Sequence, residues 1–341
     1  MKQKLFNRNE ILQGPAPACL RAIKNFKIEH AAQYIDGYRN SVLIPELAKH
    51  YSLDPEHFIV SYGSEDLLRW LFNACRPGID SILCNEFHFT YYDSYSKHKK
   101  VKLHNFRLPE TGTGFVFDIQ DCLAQYKKHH PKIIIITSPN SPTGNSISPK
   151  DLNAILKEVS KKTLVVVDES YYGFNKNYSD SSAKRLIKTF PNLIFSRTFS
   201  KTHALAGIRI AYALCGANVK QLLGYDHPYL GVSRILEQVA IAALRSKKYY
   251  KSLVDEIISL RSFFIKETNR IPGFRAFESD ASFVLVEVDK SLVLNFKKTL
   301  ARQSVIIAKH MKGNYFRVSL SLKPHAKDLL RLMHKLDRSR P

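Results

Sequence analysis

The chain reads as an α/β protein. A three-layer α/β/α large domain on a mainly parallel sheet is followed by a smaller α+β domain. Three observations predict this. Short apolar runs alternate with amphipathic stretches through the first 230 residues, the pattern of strands joined by crossover helices. Two of those runs, Ile133–Ile136 and Leu164–Val167, are continuous and β-branched-rich, which suits strands buried on both faces and not a surface helix. Beyond about residue 235 long helical stretches and isolated strands replace the alternation. The large domain is accordingly expected over 31–232, and the smaller one from an N-terminal arm, 1–30, together with 233–341.

The elements follow in order. Ile59-Val60 precedes Gly63-Ser64-Glu65, and Leu67, Leu68, Leu71 and Phe72 then recur at helical spacing. Ile82–Cys84 and Lys132–Thr137 are strands. After a loop with two prolines and a glycine, Ser148 is the N-cap of a helix, with Pro149 at its first position and Asp151 three residues after the cap. Leu152, Ile155, Leu156 and Val159 form its apolar stripe. Leu164–Val167 is a strand ending at Asp168-Glu169, and Leu193–Phe195 and Ile208–Leu214 are two more. A long helical stretch over Ile235–Asn269 leads to a strand at Ser282–Val288. A helix near Leu292–Arg302, a strand near Tyr315–Ser319 and a helix near Ala326–Leu336 complete the chain. There are no repeats and no low-complexity linker.

Composition excludes several classes. At 44% hydrophobic and 11% aromatic residues, global disorder is ruled out. No apolar run approaches the length of a membrane span, and MKQKLFNRNE has no signal-peptide core. Five scattered cysteines without paired spacing (Cys19, Cys75, Cys84, Cys122, Cys215) fit reduced thiols in a cytoplasm and argue against a zinc cluster. The net charge is +22, with +12 of it in residues 231–341, which by itself suggests a polyanion partner. No helix-turn-helix appendage, zinc-finger spacing or ribonucleoprotein aromatic motif accompanies it, so a nucleic-acid partner is not expected.

Ligands of open α/β sheets bind beyond the carboxyl ends of the strands, and three strand ends carry polar clusters. They are Ser138-Pro-Asn-Ser-Pro-Thr-Gly144, Asp168-Glu-Ser-Tyr171 and Ser196-Arg-Thr-Phe-Ser-Lys201-Thr-His-Ala-Leu-Ala-Gly-Ile-Arg209. Singly each has a bland reading: a turn, a helix cap, a solvated lysine. Together, in this order, they resemble the pyridoxal-phosphate (PLP) aminotransferases of fold type I, and within them the histidinol-phosphate aminotransferases. Asn9-Glu10 with Gly14-Pro15, Gly63-Ser64-Glu65, Pro191-Asn192-Leu193, His227-Pro228-Tyr229 and Phe316-Arg317-Val318-Ser319 extend the likeness along nearly the whole chain.

The resemblance implies a role for each residue. Lys201 would form the Schiff base with the cofactor, since only an amine can, and once released would move the proton. Asp168 would keep the pyridinium nitrogen protonated and so make the ring an electron sink. Tyr171 would hydrogen-bond the cofactor's phenolic oxygen. Ser200 and Arg209 would bind its phosphate, joined by backbone N–H groups of Ser64 and Glu65 at a helix start. Phe89 would stack on the ring, with Tyr92 as the rival. Arg317 would clamp the substrate carboxylate as a planar bidentate partner. Tyr34, with Tyr38 close by, matches a tyrosine lent to the neighbouring subunit's cofactor phosphate, so a homodimer is implied. His203 has a packing role, and Lys97–Lys102 is a solvated face.

Some positions depart from the family. Ser141 stands where its members carry an Asn that donates to the phenolic oxygen; Asn140 is the alternative donor. Asn9-Glu10 is followed by Ile11-Leu12 in place of Asn-Pro, the Pro before the stacking aromatic is absent, and Ala211 replaces a Gly. The expected activity is therefore transfer of an amino group between an amino acid, glutamate by resemblance, and a keto acceptor. A PLP-dependent decarboxylase of a phosphorylated amino acid is the alternative, and a non-enzymatic basic regulator on a degenerate transferase fold the minor one. The small domain's positive charge would steer anionic substrates.

Overall fold

The protein is described from a computed structural model covering residues 4–32, 34, 40–175, 180–225, 231–303, 305–310 and 313–338. Tyr38 and His227-Pro228-Tyr229 lie outside the described residues. The first elements are β1 (Lys4–Phe6), α1 (Pro17–Lys24), α2 (Leu43–Tyr51), β2 (Phe58–Ser61), α3 (Ser64–Asn73), β3 (Ser81–Asn85), α4 (Tyr91–Lys99) and β4 (Lys102–Phe106). Next come α5 (Ile119–His129), β5 (Ile133–Thr137), α6 (Pro149–Glu158), β6 (Leu164–Asp168), α7 (Asp180–Thr189), β7 (Leu193–Thr198), β8 (Ala211–Cys215) and α8 (Val219–Leu223). The last are α9 (Arg234–Arg245), α10 (Lys247–Thr268), β9 (Phe274–Ala276), β10 (Phe283–Val288), α11 (Val293–Arg302), β11 (Val305–His310), β12 (Tyr315–Ser319) and α12 (Lys323–Arg338).

Seven strands form the large sheet in the order β2-β8-β7-β6-β5-β3-β4. Only β8 runs against its neighbours; the other pairs are parallel. The alternation of strand side chains explains the two covering layers. Ile134, Ile136, Val165 and Val167 enter the core on one face, and Ile133, Ile135, Leu164 and Val166 the core on the other. Both faces being dry, these strands are apolar without a break. The helix after β5 is capped as its sequence dictates: Ser148 Oγ accepts from the Asp151 N–H at 3.0 Å.

The second sheet, β1-β11-β12-β10-β9, has its own core around Phe264, Phe296 and Phe316. Its edge is the N-terminal strand, Lys4–Phe6 pairing parallel with Val305–Ile307. The expected long helix is two, broken at Ser246. Residues 250–257 of α10 pack on the large sheet's core and residues 260–265 on the small one. The strand expected from Ile208 begins at Ala211, because residues 206–208 form a helical turn and Arg209 is left-handed.

Candidate active site

Parallel strands β5, β6 and β7 end side by side, Thr137 opposite Asp168 and Asp168 opposite Ser196. Their following loops therefore converge on one cavity of about 370 Å³ beyond the carboxyl edge. Ser64, Glu65, Phe89, Ser141, Asp168, Tyr171, Ser200, Lys201, Arg209 and Arg317 all line it. Tyr34 does not: it is 83% exposed, outside the cavity of its own chain.

Asp168 is buried at the end of β6. Tyr92 donates to its Oδ2 at 2.7 Å, and the Ser170 N–H and hydroxyl to its Oδ1 at 3.1 and 2.6 Å. Three donors hold the carboxylate in one orientation. Tyr92 is thus committed behind Asp168 and fully buried, while Phe89, 47% exposed, lines the cavity. Burial, before the nearby Asp168 charge, pushes the Tyr92 phenol well above its usual range, so it stays a donor.

Gly63 caps α3 with φ +84°. A Cβ there would fall 2.5 Å from Nη2 of Arg209, so the absent side chain makes room for the guanidinium beside the first N–H groups of α3. Glu65 turns its carboxylate onto Arg69 at 2.9 Å. Ser200 and Thr198 hydroxyls meet at 2.9 Å in the turn that leads to Lys201.

Lys201 Nζ donates to the Arg8 carbonyl at 2.7 Å. Arg317, on β12, donates to Ser141 Oγ at 2.7 Å and to the Asn7 carbonyl at 2.5 Å. Burial pushes its guanidinium down from its usual range, the Tyr171 hydroxyl opposing, and its Nε is buried without a partner. Among the described residues, Lys201, Arg209 and Arg317 hydrogen-bond only neutral oxygens. Three uncompensated cations and an orphaned donor around a small cavity suit a dianionic ring compound and a second anion; the residues present therefore fit PLP and a carboxylate substrate.

The expected alternative donor, Asn140, is corrected. It is fully buried, accepts from Asn85 Nδ2 at 3.0 Å and donates to the Phe87 carbonyl and Thr143; it does not line the cavity. His203 packs between the rings of Phe199 and Tyr250. Sequence reasoning missed Tyr92's bond to Asp168 and the arm residues Asn7 and Arg8 in the cavity wall. It also missed the pair behind the site: Arg197, 1% exposed, bonds Glu169 at 2.6 Å, Asp180 at 2.7 Å and Tyr51 at 2.8 Å. The Arg and Glu flanking the lysine and aspartate motifs were the available signal.

Residues 2–336 match the family described as Aminotransferase class I and II. Histidinol-phosphate aminotransferase 2 of Archaeoglobus fulgidus is 31% identical over 307 residues, 89% of this chain and 83% of that protein. The histidinol-phosphate aminotransferase of Sinorhizobium meliloti, solved in complex with pyridoxal-5'-phosphate, superposes with a TM-score of 0.86 at 22% identity, over 99% of this chain and 91% of that one. L-threonine-O-3-phosphate decarboxylase of Porphyromonas gingivalis shares the fold, with a TM-score of 0.82 at 16% identity over 98% and 100%. The chain belongs to the class I and II aminotransferase family.

Proposed function

We propose that the protein is a PLP-dependent transaminase that exchanges an amino group between glutamate and a phosphorylated keto acceptor of the histidinol-phosphate type. The observation that carries it is the gathering of Lys201, Asp168, Tyr171, Arg209 and Arg317 in one cavity. The relative from Archaeoglobus fulgidus, named for that activity, supports the substrate.

When bound, the cofactor supplies an aldehyde that joins amines and a ring that takes up electrons. The chain does the rest. Lys201 would supply the amine that holds the cofactor's aldehyde and would be the base that moves a proton at the substrate's α-carbon. Asp168, fixed by Tyr92 and Ser170, holds the ring nitrogen's proton. Tyr171 and Ser141 donate toward the phenolic oxygen, Phe89 covers the ring face, and Ser200, Arg209 and the N–H groups of Ser64 and Glu65 hold the phosphate. Arg317 takes the carboxylate of glutamate, and the phosphate in the other half-reaction, on its planar fork.

Tyr34 is exposed outside its own cavity, as are the apolar side chains of Leu20, Ile23, Ile28 and Val42, which supports a homodimer in which Tyr34 reaches the neighbour's phosphate. The cofactor-bearing part is assigned to 31–232 and the smaller part to 1–30 and 233–341, although Cys19 of α1 and Val239, Ala240 and Ala243 of α9 pack on the larger core. Five free, buried cysteines support a cytoplasmic setting. Among the described residues no helix is long and apolar enough to cross a membrane.

The test is an assay of the purified, PLP-loaded protein with L-histidinol phosphate and 2-oxoglutarate. Formation of glutamate is expected. Release of carbon dioxide from phosphorylated amino acids without keto-acid exchange would establish the decarboxylase instead.

A further inference from the structure

Tyr171 and Asn9 lie 162 residues apart in sequence, yet Asn9 Nδ2 donates to the Tyr171 hydroxyl oxygen at 2.7 Å. Asn9 is buried and held at a left-handed φ of +54°, a backbone state that asparagine tolerates better than most residues. Ser319 fixes it from the other side: its Oγ accepts from the Asn9 N–H at 2.9 Å and shares its one proton between Asn9 Oδ1, at 2.5 Å, and the Phe6 carbonyl, at 2.8 Å. With Oδ1 facing the Ser319 hydroxyl, Nδ2 faces Tyr171.

That contact determines where the tyrosine's own proton goes. A phenolic oxygen has one O–H and accepts through its lone pairs. Asn9 occupies one lone pair, and no other hydrogen bond to this hydroxyl forms among the described residues. The edge of Tyr171 against Phe283, centroids 4.9 Å apart, keeps the ring from turning away. The O–H is left to point into the cavity that Tyr171 lines. The charged side chains that share the cavity are Lys201, whose Nζ is 6.0 Å from the ring centroid, Arg8, Arg209 and Arg317, and the carboxylates of Asp168 and Glu65, which are engaged by Tyr92 with Ser170 and by Arg69.

We infer that Asn9 is a positioning residue that aims the Tyr171 hydroxyl at the cofactor's phenolic oxygen, with Ser319 as its brace. The inference rests on the transaminase reading above. The aim of Tyr171 matters in this chain because position 141 brings only a serine hydroxyl, held against Arg317, with a single proton to give. Tyr171 and Ser141 are then the two donors to that oxygen. A donor there favours the deprotonated, phenolate-bearing form of the bound cofactor, so losing its aim raises the pH at which the cofactor's visible absorbance changes.

The experiment titrates that absorbance in the PLP-loaded protein. Asn9→Gly, which suits the left-handed backbone and removes the amide, is expected to raise the midpoint by about half a pH unit or more. Ser319→Ala, which leaves Asn9 and Tyr171 in place, is expected to raise it by less in the same direction. Tyr171→Phe raises it most, and adding Asn9→Gly to Tyr171→Phe shifts nothing further. Unchanged midpoints in both Asn9→Gly and Ser319→Ala, or an equal Asn9→Gly shift with and without the tyrosine hydroxyl, would overturn the inference. A wild-type chain that develops no visible band with PLP overturns the transaminase reading itself, and this inference with it.

Discussion

Gly63 and Arg209 are fitted to each other: the guanidinium occupies space that any side chain on Gly63 would fill, a Cβ falling 2.5 Å from Nη2 and 3.0 Å from Cζ. Gly63→Ala should therefore displace the Arg209 guanidinium, the proposed phosphate-binding cation, as well as strain a φ of +84°. A PLP dissociation constant about tenfold weaker, measured by equilibrium titration, is expected. An unchanged constant would remove Arg209 from the phosphate site.

Arg317→Lys separates charge from shape. The ammonium keeps the charge but cannot bond Ser141 and the carboxylate as a planar fork. KM for the amino-acid substrate is expected to rise about 10- to 100-fold, with PLP affinity unaltered. Steady-state kinetics at saturating cofactor check it, and an unchanged KM would place the carboxylate elsewhere.

Behind the site, Arg197 is buried against Glu169 and Asp180. Burial pushes the Glu169 carboxyl up, to about 7, against the pull of Arg197. Arg197→Met leaves Glu169 unpaired in the interior and should cost about 3–5 kcal/mol in urea unfolding. Adding Glu169→Leu should recover a substantial part of that loss. A double variant as unstable as the sum of its singles would mean that the two side chains do not act as a pair.

His203 predicts an acid limb to stability. Burial, and then the nearby His50 charge, depress its pKa from the usual 6.5 to about 4. The unfolded chain takes up a proton below pH 6.5 that the folded chain refuses until near pH 4. Stability attached to this group is present above pH 6.5 and lost as the pH falls toward 4. At pH 5 the loss is on the order of 1–2 kcal/mol relative to pH 7. His203→Phe, which keeps a ring between Phe199 and Tyr250, should lessen the difference between urea stabilities at the two pH values by that amount.

How much of this was legible in the sequence varied by element. Ile133–Ile136 and Leu164–Val167 announced buried strands because both faces of the sheet are dry. Lys102–Phe106 did not, because it is the edge strand beyond β3 and its side chains are largely half-buried or exposed; polar residues at an edge carry no strand period. The three-residue strands Lys4–Phe6 and Phe274–Ala276 are too short to show one, and Val305–His310, apolar at first and then Lys-His, was passed over between a helix and a turn. Lys201, Asp168 and Arg209 could be read locally because each stands in a recognisable cluster at or beyond a strand end. The contacts that orient them could not. Tyr92 reaches Asp168 across 76 residues, and Asn9 reaches Tyr171 across 162; only the folded chain brings them together.

Lys201 is the residue on which the proposed chemistry turns. Borohydride treatment of the PLP-loaded protein, followed by peptide mapping, is predicted to fix the cofactor covalently on Lys201, and Lys201→Ala is predicted to abolish the label. Cofactor fixed on another lysine, or none fixed in the wild-type chain, would contradict it.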